Sequence, residues 1–459
     1  MRRSSKEIPV SFLGSALEEL ADQPSPASLD RLQASLDPRW IEEALEATGT
    51  ATLRKRRLPA HQVVWLVLGM GLVRDKPIAE LVAHLDLALP GRDGSLVVAP
   101  SSVAQARQRL GPEPMKWLFN KCAAAWAHES ARADAWRGLA LYAIDGTTLR
   151  VADSETNRAH FGLASGGNRG DGGYPLVRLA ALMAVRTHVL ARAEFGPYAT
   201  SELALSQELW DYVPGHSLTI LDRNFLSANV LVGLHDAAQE RHWLTRAKSN
   251  TKWKELRSFG PNEKEVELTV SATARKQHPD LPRTFIARAI RYRHPRSKGD
   301  QWLLTSLLDR TKYPALELVK IYHERWEIEI GYDEIKTHML QREETIRSRT
   351  PEGVKQEIWG ILLTFNLIRR EMESIAEEAG VAPTRISFVA AMRWIRDEWA
   401  WCIVASPGSI PAKIQRMREK VRRFVLPPRR SERVYPRAVK IKMSNYPRKR
   451  RVAPPPEPK

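Results

Sequence analysis

The chain has 459 residues, 43% hydrophobic and 27% charged, a balance that excludes wholesale disorder. Its 71 Lys and Arg outnumber 53 Asp and Glu, and the formal net charge of +18 points to a polyanionic partner, either nucleic acid or an acidic membrane surface. Only two cysteines occur, which excludes a disulfide framework and a cysteine-rich zinc site, and the longest apolar run, Val63 to Val73, falls well short of the about 20 residues that span a bilayer.

Residues 1 to about 135 read as helices. Asp37-Pro38 is a cap signal ahead of Trp40–Ala47. His61–Val73 reads as a buried apolar helix, Pro77–Leu85 as an amphipathic one, and Ser101 is placed to cap a helix ending near Leu110. The segments 77–87 and 101–110 could form a loose helix-turn-helix whose second helix presents Gln105, Arg107, Gln108 and Arg109. An ordinary surface helix explains the same residues, since Arg and Gln are good helix formers. Another helix follows over Pro114–Ala127. The opening residues contain no apolar segment suited to a secretory signal, so the expected setting is cytoplasmic.

The texture changes after Arg137. Leu139–Asp145 reads as a strand ending in Asp-Gly. Asn157–Gly173 holds six glycines and reads as a flexible loop with Arg158 and Arg169; it lacks the Gly-Lys-Ser/Thr ending of a phosphate-binding loop. Leu176–Val185 and Val189–Phe195 read as a strand pair. Then come a helix over Glu202–Trp210, a short strand Ser217–Leu221 ending at Asp222, a helix over Ser227–Gln239 and a strand over His242–Ala247. Between about 250 and 300 the pattern turns polar and β-like, with Val266, Leu268 and Val270 alternating with polar residues. Trp302–Leu308 returns toward the main sheet, Pro314–Leu340 reads as one long helix, and helices over 354–378 and 386–404 follow. Past Leu426 the chain is Pro-rich and basic.

Two aspartates, Asp145 and Asp222, thus end predicted strands. Singly, each has a plain explanation: Asp-Gly is a hairpin-turn dipeptide, and Asp222 could cap the next helix. The long helix adds weight. At about 100° per residue, Tyr322 sits at 0°, Arg325 at roughly 300°, Glu329 near 340° and Lys336 near 320°, one stripe about 60° wide. Glu324, Glu327 and Glu334 point away, while Asp333 lies along the stripe and rivals Glu329. A carboxylate flanked by Arg, Lys and Tyr suits a metal ligand beside phosphate contacts; a solvated face laced with ion pairs suits the same residues.

The spacing Tyr322, Arg325, Glu329, Lys336 resembles the YREK signature of the bacterial DDE transposases of the insertion-sequence-four family. Ile144-Asp145-Gly146-Thr147 after one strand, Leu221-Asp222-Arg223 after another, and a β-rich insertion before the signature helix strengthen the resemblance, which is clearest over 139–370. It implies an α/β fold with a ribonuclease-H-like catalytic core (136–375) interrupted by a β-rich insertion at about 250–300. A helical N-terminal DNA-binding domain (1–135), a helical C-terminal region (376–426) and a basic tail (427–459) complete the expected layout. It further implies Asp145, Asp222 and Glu329 as catalytic metal ligands, and Tyr322, Arg325 and Lys336 as phosphate contacts. Two Mg2+ ions, replaceable by Mn2+, double-stranded DNA as terminal inverted repeats and target, and a synaptic homodimer are implied as well, with a bacterial, nucleoid-associated location and no membrane. The family holds a flipped base on an insertion-domain tryptophan; here Trp253 is the only tryptophan between 250 and 300.

The chemistry agrees with the residue types. In-line displacement at phosphorus needs a deprotonated attacking oxygen and a stabilised leaving oxygen, which divalent ions supply. Hard ions take oxygen ligands, not the His and Cys suited to zinc. Arg325 can grip a phosphate with two parallel hydrogen bonds and lysine cannot. Two other readings stand beside this one. In an unrelated metal nuclease, Glu334-Ile335-Lys336 would be a Glu-x-Lys motif on a strand, with Pro279-Asp280 upstream. In a silent DNA-binding relative acting as repressor, the acidic triad would be without use. Residues 411–459 hold 17 Lys and Arg against 3 Asp and Glu, and the other 410 residues hold 54 against 50. Most of the charge excess is therefore expected to serve salt-sensitive DNA affinity from the C-terminal stretch.

Overall fold

A computed structural model describes residues 36–51, 57–85, 87–89, 97–165, 171–293, 299–341, 345–402 and 410–427. The basic tail and most of the glycine cluster (166–170) lie outside them. The described residues through Leu426 form one compact unit.

Five helices open it: α1 Pro38–Ala47, α2 Ala60–Leu72, α3 Ile78–His84, α4 Pro100–Leu110 and α5 Glu113–Ala133. Asp37 caps α1, its carboxylate accepting from the Arg39 amide at 2.9 Å. Eleven of the 13 residues of α2 are buried, as expected of a helix apolar all round. Helix α4 starts one residue before Ser101, at Pro100, and Ala99 caps it without a side-chain bond; proline suits the first helical position because its missing N–H would be unpaired there anyway. Arg107 is tied inward, donating to Gln356 Oε1 and Ser348 Oγ, both at 2.9 Å. It is therefore not part of a free recognition surface, although Gln105, Gln108 and Arg109 are exposed.

The sheet elements are β1 Ala140–Val151, β2 Leu163–Ser165, β3 Asp171–Ala184, β4 Leu190–Pro197, β5 Ser217–Leu221, β6 Arg241–Arg246, β7 Lys254–Ser258, β8 Glu263–Thr269, β9 Thr284–Tyr292, β10 Gln301–Thr305 and β11 Thr345–Ile346. Interspersed are α6 Glu155–Phe161, α7 Glu202–Gln207, α8 Ala228–Leu234 and α9 Ala272–Gln277. The strands join in the order β2-β3-β1-β5-β6-β10-β9-β8-β7, with β4 on β3 and β11 on β1. Strands β1, β3 and β4 are antiparallel neighbours; β5 and β6 run parallel to β1. The polar, alternating strands β7–β9 continue this sheet through β10. Buried Arg288 fastens them inward, donating to Glu263 Oε1 at 2.7 Å and to the Tyr313 carbonyl at 2.6 Å.

The final elements are α10 Ala315–His323, α11 Trp326–Asp333, α12 Pro351–Ala379, α13 Phe388–Cys402 and α14 Ile410–Val421. Helix α12 buries 20 of its 29 residues and packs on α2, α5 and α13, so its apolar faces belong to the core of the chain.

Three local expectations need correction. Asp145-Gly146 is not a turn: β1 runs straight through it, because β3 pairs with β1 from Tyr142 to Arg150. Asn157–Gly173 is not all loop, since α6, capped by Ser154, and β2 occupy its first half. The segment 314–340 is not one helix. Tight bonds from the Glu324 and Arg325 amides to the Ile321 and Tyr322 carbonyls divide α10 from α11, and Glu334–Met339 widens into a π-helical turn. No proline or glycine marks the division; the acidic side chains of this stretch are held from outside it.

Candidate active site

Register brings the two aspartates together. The last parallel pair of β1 and β5 is Ile144 with Leu221. Asp145 and Asp222 are the residues that follow this last pair along the two chain segments. Beyond that point β5 leaves, and β11 takes up its side of β1 only at Arg150. Helix α11 lies along this gap: the Tyr332 hydroxyl donates to the Asp145 carbonyl at 2.7 Å, and Lys336 Nζ lies 3.4 Å from Thr147 Oγ1.

Arg325 joins the helix to the sheet. Its guanidinium meets Glu329 Oε1 at 2.8 Å and Asp145 Oδ2 at 3.6 Å, and the charge of Asp222 also acts on it. Asp222 is half-buried, with no side-chain bond to the short helical turn after it; Ser227, not Asp222, caps α8. Tyr322 is buried, and that burial pushes its phenol up to about 12, so it stays a hydrogen-bond donor at neutral pH. Asp333 is exposed and accepts from the Thr337 hydroxyl at 2.6 Å, whereas Glu329 faces Arg325.

The three acids that point off the stripe anchor it. Arg186, in the turn between β3 and β4, forks Glu324 at 2.8 and 3.1 Å. Buried His188 in the same turn meets Glu327 at 2.9 Å and Glu334 at 3.2 Å, and Arg369 of α12 also binds Glu334. Glu334-Ile335-Lys336 is thus part of a π-helical turn, with Glu334 committed to structure, and Asp280 is an exposed loop residue. The restriction-type nuclease reading is overturned on both counts.

Sequence reasoning missed Glu202. It opens α7, whose N-terminus Ser201 caps through the Ala204 amide. An acid in the first helical turn is explained by the helix dipole, which hid it. Its side chain lies against Gly146, whose amide donates to Asp145 Oδ1 at 2.9 Å. Burial raises the Asp145 carboxyl to about 7, Glu202 adds to the rise, and the Gly146 amide and Arg325 oppose it.

All the candidate ligands are carboxylate oxygens, the donor type that hard divalent cations take, so the residues fit such an ion. Among the described residues no three such side chains already converge on one point; Arg325 lies between Asp145 and Glu329. Farther along the sheet, Trp253 packs edge-on to Trp302 with centroids 5.5 Å apart. It lines a cavity of about 670 Å³ with Leu226, Lys248, Lys252 and Phe285.

The chain matches two family models: insertion element 4 transposase N-terminal over residues 26–120, and transposase DDE domain over residues 136–367. It is 38% identical over 415 residues to "Transposase InsG for insertion sequence element IS4" of Escherichia coli (strain K12), covering 90% of this chain and 92% of that protein. The protein InsZ of the same strain is 33% identical over 308 residues, 65% of this chain and 95% of its own length. A cryo-EM structure of the piggyBac transposase synaptic complex with hairpin DNA is similar at a TM-score of 0.44 and 11% identity, covering 87% and 85% of the two chains.

Proposed function

This chain belongs to the insertion-sequence-four DDE transposases, and from that premise we propose that it cleaves the terminal inverted repeats of its element and joins the freed 3′-hydroxyls to target DNA. It is a DNA transposase; the steps, the ions and the residues are the proposal. One observation carries the site assignment: the register that sets Asp145 beside Asp222, with Arg325 drawing Glu329 to the same place. An antiparallel run of β1, β3 and β4, followed by two strands parallel to β1, supports a ribonuclease-H-like core with β7–β9 as its insertion.

Asp145, Asp222 and Glu329 would hold two Mg2+ ions, which when bound supply charge neutralisation and activation of oxygen at the reacting phosphate. The residues do the rest. Arg325 presents a planar fork that matches a phosphate. Lys336 neutralises a neighbouring phosphate from the β1 side, and Tyr322 contributes a protonated hydroxyl. The cavity beside Trp253 is the place in the insertion where an aromatic ring could receive a base. Two protomers would pair two DNA ends, through surfaces other than the buried faces of α12.

Asp145→Asn and Glu329→Gln test the assignment. Each is expected to bind end DNA in a gel shift like the wild type and to lose Mg2+-dependent cleavage of that end. Undiminished cleavage by either overturns it. A silent repressor is separated by the same assay, since the wild type would then bind without cutting.

A further inference from the structure

Gly146 follows Asp145 on β1, and its lack of a side chain is used. A Cβ there would lie 2.6 Å from Glu202 Cγ and 2.7 Å from both its Cδ and Oε1. No real Cβ tolerates such contacts, so any other residue would drive the Glu202 side chain off the strand. Glu202 comes from a different element than Glu329: it begins α7, held by the Ser201 cap. Gly146 is the shared neighbour: its amide donates to Asp145 Oδ1 at 2.9 Å while the Glu202 side chain fills the place of its missing Cβ. Among the described residues no Arg, Lys or His side chain makes a salt bridge with Glu202, whereas Arg325 bridges Asp145 and Glu329.

Two carboxylates held against one glycine, one of them without a cation, repel each other unless a proton or a metal ion offsets their charge. A helix terminus gains as much from an acid turned to water, so capping does not explain why Glu202 turns inward. A glycine that opens room for the acid against the strand adds a second feature serving the same contact.

We propose that Glu202 is a fourth carboxylate ligand of the divalent-metal site, acting with Asp145. This rests on the metal-ligand reading of Asp145, Asp222 and Glu329. It assigns the residue on α7 a role outside the three-acid pattern: supplying one more oxygen donor and one more negative charge beside Asp145.

The test uses Mn2+ alone as the probe, titrated into the full-length protein and followed by its electron paramagnetic resonance. Glu202→Gln is expected to weaken Mn2+ binding about tenfold or more, with circular dichroism and end-DNA binding unchanged. Gly146→Ala keeps the acid but displaces it, and is expected to weaken Mn2+ binding in the same direction. Asp145→Asn is the reference. If Asp145→Asn weakens binding and Glu202→Gln does not, the proposal is overturned and the three-acid reading stands. If Asp145→Asn leaves Mn2+ binding unchanged, or the wild type binds none, the metal-ligand reading fails and takes the proposal with it.

Discussion

Arg325 carries more of the site's geometry than any carboxylate does. One guanidinium reaches Glu329 at 2.8 Å and Asp145 at 3.6 Å while lying 5.3 Å from the centre of the exposed Trp326 ring. Lysine would keep the charge but offers a single point of contact, and it cannot span two acids or grip a phosphate in parallel. Losing one charge-assisted hydrogen bond costs about 1.5–3 kcal/mol, roughly 10- to 100-fold in rate if it is made in the transition state. Arg325→Lys is therefore expected to lower end cleavage by about that factor while end binding in a gel shift persists. Wild-type cleavage by this variant would remove the bidentate role.

Among the elements, the helix that carries Glu329 is positioned by acids that point away from the candidate site. Glu324, Glu327 and Glu334 tie α11 and its flanking turns to Arg186, His188 and Arg369. The helix is thereby fixed to the β3–β4 turn and to α12, and α12 is in turn packed tightly on α2. A Cβ at Gly360 would lie 2.5 Å from Val67 Cγ1 and 3.0 Å from the Val67 carbonyl oxygen, so the two helices approach closely there. Thr364 donates across the same crossing to the Leu68 carbonyl at 3.1 Å. Gly360→Ala must push the helices apart, an overpacking cost of about 1–3 kcal/mol, read as a lower urea midpoint with an unchanged slope. A midpoint equal to the wild type's would show that the crossing has slack.

At the scale of the whole molecule, a buried charge cluster joins the N-terminal helices to helix α12 and the strand β11 region. Glu357 of α12 is fully buried; it accepts from Arg74 at 2.6 Å and from the Arg347 and Ser348 amides at 3.1 and 3.0 Å. Burial raises its carboxyl, but Arg74 and Arg107 outweigh that and hold it below the ordinary range. Burial and the neighbouring Arg74 bring Arg347 down to about 10. Arg74 and Arg347 bridge to this one acid, and its charge acts on Arg107 as well. Glu357→Gln keeps the shape and strands the cations, and breaking a buried pair in this way costs about 3–5 kcal/mol. The expected outcome is a large drop in the denaturation midpoint, with protease cleavage appearing first near residues 57–85. A variant as stable as the wild type would mean that water already compensates these charges.

What sequence alone determined was chemical and local. The order β1, β3, β4, α7, β5, α8, β6 followed from apolar runs and turn residues, without the α6 and β2 that lie between β1 and β3, and Ser217–Leu221 agreed to the residue, because Leu218, Thr219, Ile220 and Leu221 form a short β-prone run ended by Asp222. The spacing of Tyr322, Arg325, Glu329 and Lys336 was legible because chemistry restricts residue type at each position. What only the tertiary structure decided was which groups meet. The register of β1 on β5 sets Asp145 level with Asp222, and the tight turn between α10 and α11 changes a stripe computed for one straight helix. Glu202 reaches Gly146, next to Asp145, from a helix whose sequence reads as ordinary capping. Such meetings depend on long-range pairing, and no local periodicity encodes it: a helix or strand pattern reports which face is buried, not which distant residue is buried against it.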